Sequence, residues 1–289
     1  MLVSGTEILE AAHRNNFAIP AYNISSWSMF KAVSAACEED RTPWMVAIHP
    51  LELAHTGTDV VHAYAAAAHR SSVPIAIHLD HGGTFEDVMV AISHGFTSVM
   101  LDASTLPFDE NVAAVAKVVE AAHAAGVSVE GELGTIGQME FQSQDGNETI
   151  IYTKPEDAAR FVERTGCDSL AVAIGTSHGL YPAGLKPKLR LDLLAEIRDA
   201  VRRPLVMHGG SGNSDAEVGQ ACHLGINKVN ISSDIKHAYF VRMRQVLLDE
   251  ALREPNAIEP PCEAALAEVV HAKNALFDAL GRAELYVRG

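Results

Sequence analysis

Residues 74–88 read PIAIHLDHGGTFEDV: an apolar strand, then His78, Asp80 and His81 at its mouth, then Gly82-Gly83 and the start of a helical pattern. Pro74 opens the strand, where a missing N–H costs least. The same order recurs along the chain. Short β-rich segments at 17–23, 44–49, 74–79, 98–102, 127–133, 169–175, 204–209 and 228–232 alternate with Ala-rich helical ones. Several of the helical segments stop at a Gly after a charged or His-containing last turn. Eight strands alternating with helices fit either a (β/α)8 barrel or a doubly wound open sheet. The strand ends decide between them. Asn23, His49, Asp80 with His81, Asp102, Glu132, His178, His208 and Asn230 lie at or just past them. A barrel gathers such ends around one mouth, where its active site lies; an open sheet spreads them along a line. The pattern predicts an α/β fold, a (β/α)8 TIM barrel. The mostly helical stretch from His237 to Gly289 is expected outside it or at a subunit contact.

At 289 residues and 48% hydrophobic, the chain can bury a large core. No linker or low-complexity block divides it, so residues 1–289 are read as one domain. A net charge of −15 gives no basic footprint for nucleic acid and disfavours an anionic membrane surface. It does not exclude a small anionic substrate, because backbone amides and local charges act at closer range. Cys37, Cys167, Cys222 and Cys262 are scattered and form no CxxC, so neither a zinc knuckle nor a disulfide framework is indicated. The N-terminal MLVSGTEILEAAHRNN mixes charge into a helical pattern and is not expected to act as a signal peptide, and no apolar run approaches about 18 residues. A soluble cytoplasmic protein is expected.

Three histidines stand just past strands, each followed by Gly: His81, His178 and His208. One such His is most often a polar loop residue, but three imidazoles plus an open position form a recognised catalytic zinc arrangement. Asp80 precedes His81, so the two side chains leave an extended strand in opposite directions. Asp80 can serve as an acid/base or hold a neighbouring imidazole; His78, one step deeper on its face, supports it. Glu130 and Glu132 share a strand face and belong either to an interior network or to the metal. The turns HGGSGNSD (208–215) and NISSD (230–234) follow strands 7 and 8, the usual phosphate seat of this fold, although each also reads as an ordinary N-cap. The polar stretch 134–149 is long enough for a lid, with Glu140 its candidate catalytic group.

In these segments the chain resembles the class II, zinc-dependent ketose-bisphosphate aldolases, in particular the tagatose-bisphosphate aldolase subgroup. The likeness runs from about Thr6 to Ile235, through AYNI, IHLDHG, GFTSVMLDAS, VSVEGELGTIG, DSLAVAIGTSHGLY, PLVMHGGSG and KVNISSDIK. It implies one zinc ion per subunit, held by His81, His178 and His208 with Glu132 close by. Asp80 becomes the proton donor to the aldehyde oxygen at the C3–C4 bond, and Glu140 the loop acid/base at the dihydroxyacetone-phosphate carbon. Asn23, Gly179, Gly209, Gly210, Ser211, Asn230, Ile231, Ser232 and Ser233 would hold dihydroxyacetone phosphate, with Asn230 near the reacting oxygens. The resemblance further implies a monovalent cation (Na+ or K+) near the phosphate, a homodimer or homotetramer, and an accessory subunit in some relatives. The expected reaction is reversible aldol cleavage of a ketose (bis)phosphate through an enediolate whose charge zinc stabilises.

Three departures bear on the substrate. The DPR-like segment whose Arg reaches a second phosphate is replaced by REPNAIEPPCEAALAE. The GTPG-like segment after strand 2 reads AIHPLELAHTG, which puts His49 and Pro50 at the mouth. Gln138 and Met139 stand where the lid is usually small or acidic. The aldehyde is therefore expected to be unphosphorylated or otherwise unusual. Two rival chemistries use the same barrel: a Schiff-base aldolase with Lys228 as nucleophile, and a zinc hydrolase.

Overall fold

The computed structural model describes residues 1–134, 137–138, 151–178 and 188–286; for 137, 138, 177 and 178 the description is of backbone alone. Eight parallel strands close into a barrel: β1 (Ile19–Asn23), β2 (Trp44–Ile48), β3 (Ile75–Gly82), β4 (Ser98–Leu101), β5 (Ser128–Leu133), β6 (Ser169–Val172), β7 (Leu205–Met207) and β8 (Ile226–Ile231). Each pairs with its sequence neighbours, and β1 closes the ring on β8. Every strand expected from the sequence is present. β3 runs three residues past its expected end at 79, and β6 stops at 172.

Helix α1 (Gly5–Asn15) lies across the N-terminal end of the barrel, with Gly5 against Ser98 and Ser128. It starts in a capping box between Ser4 and Glu7. The outer layer comprises α2 (Trp27–Glu39), α3 (Pro50–Thr56), α4 (Asp59–Arg70), α5 (Phe85–Ser93), α6 (Phe108–Ala124), α7 (Pro155–Thr165), α8 (Leu191–Ala200), α9 (Asp215–Leu224), α10 (Ser233–Val246) and α11 (Pro255–Leu276). As expected for the C-terminal stretch, α11 lies outside the barrel, packed on α10 and α2. Tyr22 anchors it by donating to Val270 O (3.2 Å) and Asn274 Oδ1 (2.8 Å). The core is continuous, filled by Val, Ile, Leu and Ala from strands and inner helix faces. All four cysteines are buried thiols, and among the described residues no helix is long and apolar enough to cross a membrane.

β3 departs from an extended strand where the site begins. Its pairing with β4 shifts register between Leu79 and Gly82, and His81 takes φ +54°. A left-handed non-Gly residue beside such a bulge is uncommon and re-aims the side chains around it. Gly82 makes the turn possible, since a Cβ there would lie 2.6 Å from Met100 O and 2.8 Å from Leu79 Cδ2. Gly82→Ala is therefore expected to cost about 1–3 kcal/mol through overpacking, measured as a lower denaturation midpoint. An unchanged midpoint would show that the bulge relaxes freely.

Candidate active site

The barrel interior carries two polar layers, built from residues two apart on the same strands. The deeper layer is His78, Glu130 and Lys228; the upper one is Asp80, Glu132 and Asn230, with Asn23 from β1. Period-two spacing puts each pair on one face, one step apart in height. All seven side chains are buried.

In the deeper layer Lys228 donates to both oxygens of Glu130 (2.8 and 3.1 Å) and lies 3.3 Å from His78 Nε2. His78 Nδ1 meets Ser98 Oγ at 2.8 Å. Burial, reinforced by Lys228, drops the His78 pKa to about 3, so it stays neutral. Burial alone would raise Glu130, but Lys228 and the His208 hydrogen bond outweigh it and hold the carboxylate well below its usual range. Glu130 Oε1 also meets His208 Nε2 at 2.7 Å. That contact leaves His208 Nδ1 on the upper side, 3.7 Å from Asp80 Oδ1. Glu130 thus belongs to the interior network and orients an imidazole of the layer above.

Asp80 is clasped by two amides: Asn23 Nδ2 donates to Oδ2 (2.6 Å) and Asn230 Nδ2 to Oδ1 (2.8 Å). A carboxyl group receiving N–H donors on both oxygens is held ionised. Burial opposes that charge, but His81, His208 and Lys228 more than offset it, and the Asp80 pKa falls far below its ordinary value. His81 Nδ1 meets Asp102 Oδ2 at 2.9 Å, and Ser104 donates to Asp102 Oδ1 from both its N–H (3.1 Å) and its hydroxyl (2.7 Å). Asp102 therefore fixes the His81 ring from behind, as carboxylates do for metal-bound imidazoles. The His81 and His208 rings lie edge to face, 4.5 Å between centroids. Asp80 and His81, expected to point apart, are brought together because the bulge and the left-handed His81 break the alternation.

Two donor groups share His81: Asp80, His81 and His208, and His81, Asp102 and Glu132, with the ligand atoms of each group within 4.8 Å of one another. Glu132 Oε2 is buried with no hydrogen-bond partner among the described residues. Burial first, then Asp102, pushes the Glu132 pKa up to about 8. Imidazole nitrogens, crowded carboxylates and an orphaned carboxylate oxygen make a donor set that fits a divalent cation such as zinc. His178 is described by backbone alone. It lies on a two-residue strand, Ser177–His178, that pairs with Gly137–Gln138 at the start of the expected lid. Glu140, Met139 and Gly179 fall outside the described residues.

The expected phosphate loops meet. Gly210 N donates to Asn230 O (3.1 Å), and Ser211 Oγ accepts from the N–H groups of Ser232 and Asp234 (3.3 Å each). Gly209 has φ +64°, and a Cβ on Gly210 would fall 2.5 Å from Val229 Cγ1. Ser232, the N-cap of α10, makes no side-chain cap, so the first N–H groups of α10 turn to Ser211. A helix N-terminus is an anion seat, and at this one the Ser233 N–H is the donor that Ser211 does not take. Ser232 and Ser233 are half-buried on it, whereas the Ile231 side chain is fully buried in the core. Asp234 bridges Gly212 N (3.2 Å) and the buried Lys273 of α11 (3.1 Å), tying the loop to the C-terminal helix.

His49 follows β2 at the mouth, its ring 6.2 Å from that of His81. Lys228 is 0% exposed and spends its ammonium on Glu130 one layer beneath the mouth. It offers no amine to a carbonyl there, and the Schiff-base alternative finds no support. Asp102 as the holder of His81 was missed at the sequence level, although its place at the end of β4 could have suggested it. The linkage of Glu130 to His208 had no sequence signal, since only the folded barrel brings β5 and β7 together.

The chain matches the family model described as class II fructose-bisphosphate aldolase over residues 3–282. It is 36% identical to the fructose-bisphosphate aldolase of Thermus caldophilus, over 98% of this chain and 100% of that protein. Among solved structures it is similar to the YdjI aldolase of Escherichia coli K12, with TM-score 0.86 and 34% identity over 98% of this chain and 100% of that one. The fructose-bisphosphate aldolase of Campylobacter jejuni, 23% identical with TM-score 0.80 over 97% of both chains, shares the fold. The chain belongs to the class II fructose-bisphosphate aldolase family, and it is an aldolase, a lyase on a (β/α)8 barrel.

Proposed function

We propose that this aldolase, acting as one domain over residues 1–289, cleaves a ketose 1-phosphate reversibly to dihydroxyacetone phosphate and an aldehyde that carries no phosphate. The observation that carries the reading is Asp80, ionised between Asn23 and Asn230 and set beside His81 and His208. In cleavage Asp80 takes the proton of the C4 hydroxyl. The C3–C4 bond then breaks, C4 becomes the aldehyde carbonyl, and the electron pair stays on the dihydroxyacetone-phosphate fragment as an enediolate. Glu140 returns a proton to C3, and in condensation both transfers reverse.

His81, His178 and His208, with Glu132 nearby, would hold zinc. When bound, zinc supplies the Lewis acid for the enediolate's negative charge. Gly209, Ser211 and Ser233 seat the phosphate through backbone N–H groups, together with Gly179 and the Ile231 backbone, while Gly210 and Ser232 tie the two loops of the seat to each other; a monovalent cation, Na+ or K+, sits beside it. Asn230 places its Oδ1 toward the reacting oxygens. The protein works in the cytoplasm as a homodimer or homotetramer, with an accessory subunit as a further partner of the kind some relatives use.

Two features favour an aldehyde without phosphate. The stretch containing Pro260 and Pro261 lies in α11, outside the barrel, and Arg253 is exposed on the turn before it. At the mouth Lys236 is paired with Glu52 at 2.5 Å, so its charge is already neutralised. Release of dihydroxyacetone phosphate is to be measured from fructose and tagatose 1-phosphates and from the matching 1,6-bisphosphates. The 1-phosphates are expected to be the better substrates by kcat/KM. A bisphosphate preference would overturn the aldehyde half of the reading, and no dihydroxyacetone phosphate from any of them would overturn the whole.

A further inference from the structure

The residue left over from this site is His49, half-buried at the end of β2. Its Nδ1 accepts the N–H of Leu51 (3.1 Å), making His49 the N-cap of α3 with Pro50 in the first turn. A ring nitrogen that accepts an N–H carries no proton of its own. In the neutral ring the proton is then on Nε2, at the edge away from the helix. Burial lowers the His49 pKa, and Asp80 is the charge that acts on it most strongly. The helix His49 caps is latched across the mouth, because Glu52 of α3 pairs with Lys236 of α10, one turn beyond the phosphate loop.

The direction of the substrate follows from the same residues. The phosphate seat is on the β7 and β8 loops, and Asp80 marks the C4 oxygen. β2 is the neighbour of β3 in the ring, so a fragment carried on the C4 oxygen at Asp80 reaches the end of β2, where His49 stands with its ring 6.2 Å from that of His81. Resting on the aldol reading above, we infer that His49 is a specificity-determining residue whose Nε2–H donates to a hydroxyl oxygen of the aldehyde fragment, selecting a neutral hydroxyaldehyde. A phosphate is a poor occupant here, because the charges around His49 include Asp80 and Glu52, and the Lys236 ammonium is spent on Glu52.

The test uses His49→Asn, which retains an N-cap acceptor for α3 while its shorter side chain cannot reach the substrate. Condensation of dihydroxyacetone phosphate is followed with glyceraldehyde and with propionaldehyde, which lacks the hydroxyls. Exchange of the dihydroxyacetone-phosphate C3 proton in D2O is followed without any aldehyde. In the variant, kcat/KM for glyceraldehyde is expected to fall about 10- to 100-fold, the scale of one lost hydrogen bond in a closed site. The propionaldehyde reaction and C3 exchange should stay at wild-type level. Equal losses on both aldehydes, or loss of exchange, would overturn the role, because His49 would then be serving the metal or the phosphate. An unchanged glyceraldehyde preference overturns it as well. A wild-type protein that exchanges no C3 proton overturns the aldol reading beneath it, an outcome distinct from the other three.

Discussion

Asp80→Asn is expected to lower kcat for aldol cleavage by about 10²–10⁴, the range general acid–base groups contribute. The substitution is nearly isosteric, so what it changes is the proton. An amide cannot take the C4 proton. It also cannot satisfy its surroundings, because Asn23 and Asn230 both aim N–H donors at this position and one of them would face another N–H. The phosphate seat contains no atom of Asp80, so KM for the phosphorylated substrate should move little. Exchange of the dihydroxyacetone-phosphate C3 proton, assigned to Glu140, should survive in the variant while cleavage is lost. Chelation should remove both activities, and zinc should restore both in the wild type. Steady-state cleavage and deuterium exchange on the same preparation separate these outcomes. If the variant cleaves within roughly ten-fold of wild type, Asp80 is not the proton-transfer group, and its clasp serves only to hold the strand end.

The barrel was legible because its pattern is local and repeated: each strand end carries a polar residue, and several helices stop at a Gly signal of their own. The site was legible wherever period two holds. His78 below Asp80, Glu130 below Glu132 and Lys228 below Asn230 follow from spacing alone. The reading failed where the backbone leaves that period. His81 at φ +54° and the register shift after Leu79 turn Asp80 and His81 toward one site, and no residue of LDHG announces a left-handed His. Links between strands far apart in sequence, such as His208 to Glu130 or Lys273 to Asp234, were equally out of reach. They depend on which residues the closed barrel makes neighbours, and spacing along the chain carries no such information. The short helix α3 escaped notice because its start signal is a histidine, an unusual N-cap, rather than Ser, Thr, Asp or Asn.

The second large effect is on the layer beneath the chemistry. Lys228→Met should destabilise the protein by about 3–5 kcal/mol, the usual consequence of removing one partner from a buried ion pair. At roughly 2–4 °C per kcal/mol for a chain of this size, the thermal midpoint should fall by about 10 °C. The cause is Glu130, which would keep a buried charge with, among the described residues, His208, His78 and Ser169 as its remaining polar neighbours. Replacing both partners, as Lys228→Met with Glu130→Gln, should recover part of that stability, since neither change then leaves a charge stranded. Activity should not recover with it. Glu130 Oε1 directs the His208 ring through Nε2, and losing such a carboxylate typically costs 10- to 100-fold in metal affinity. The double variant should therefore fold better than Lys228→Met yet need more zinc to reach full rate, and borohydride should trap no substrate on the wild type. A double variant no more stable than the single one would mean that Lys228 stabilises the barrel by packing rather than by neutralising Glu130. Trapping on Lys228 would return the Schiff-base chemistry that its burial argues against.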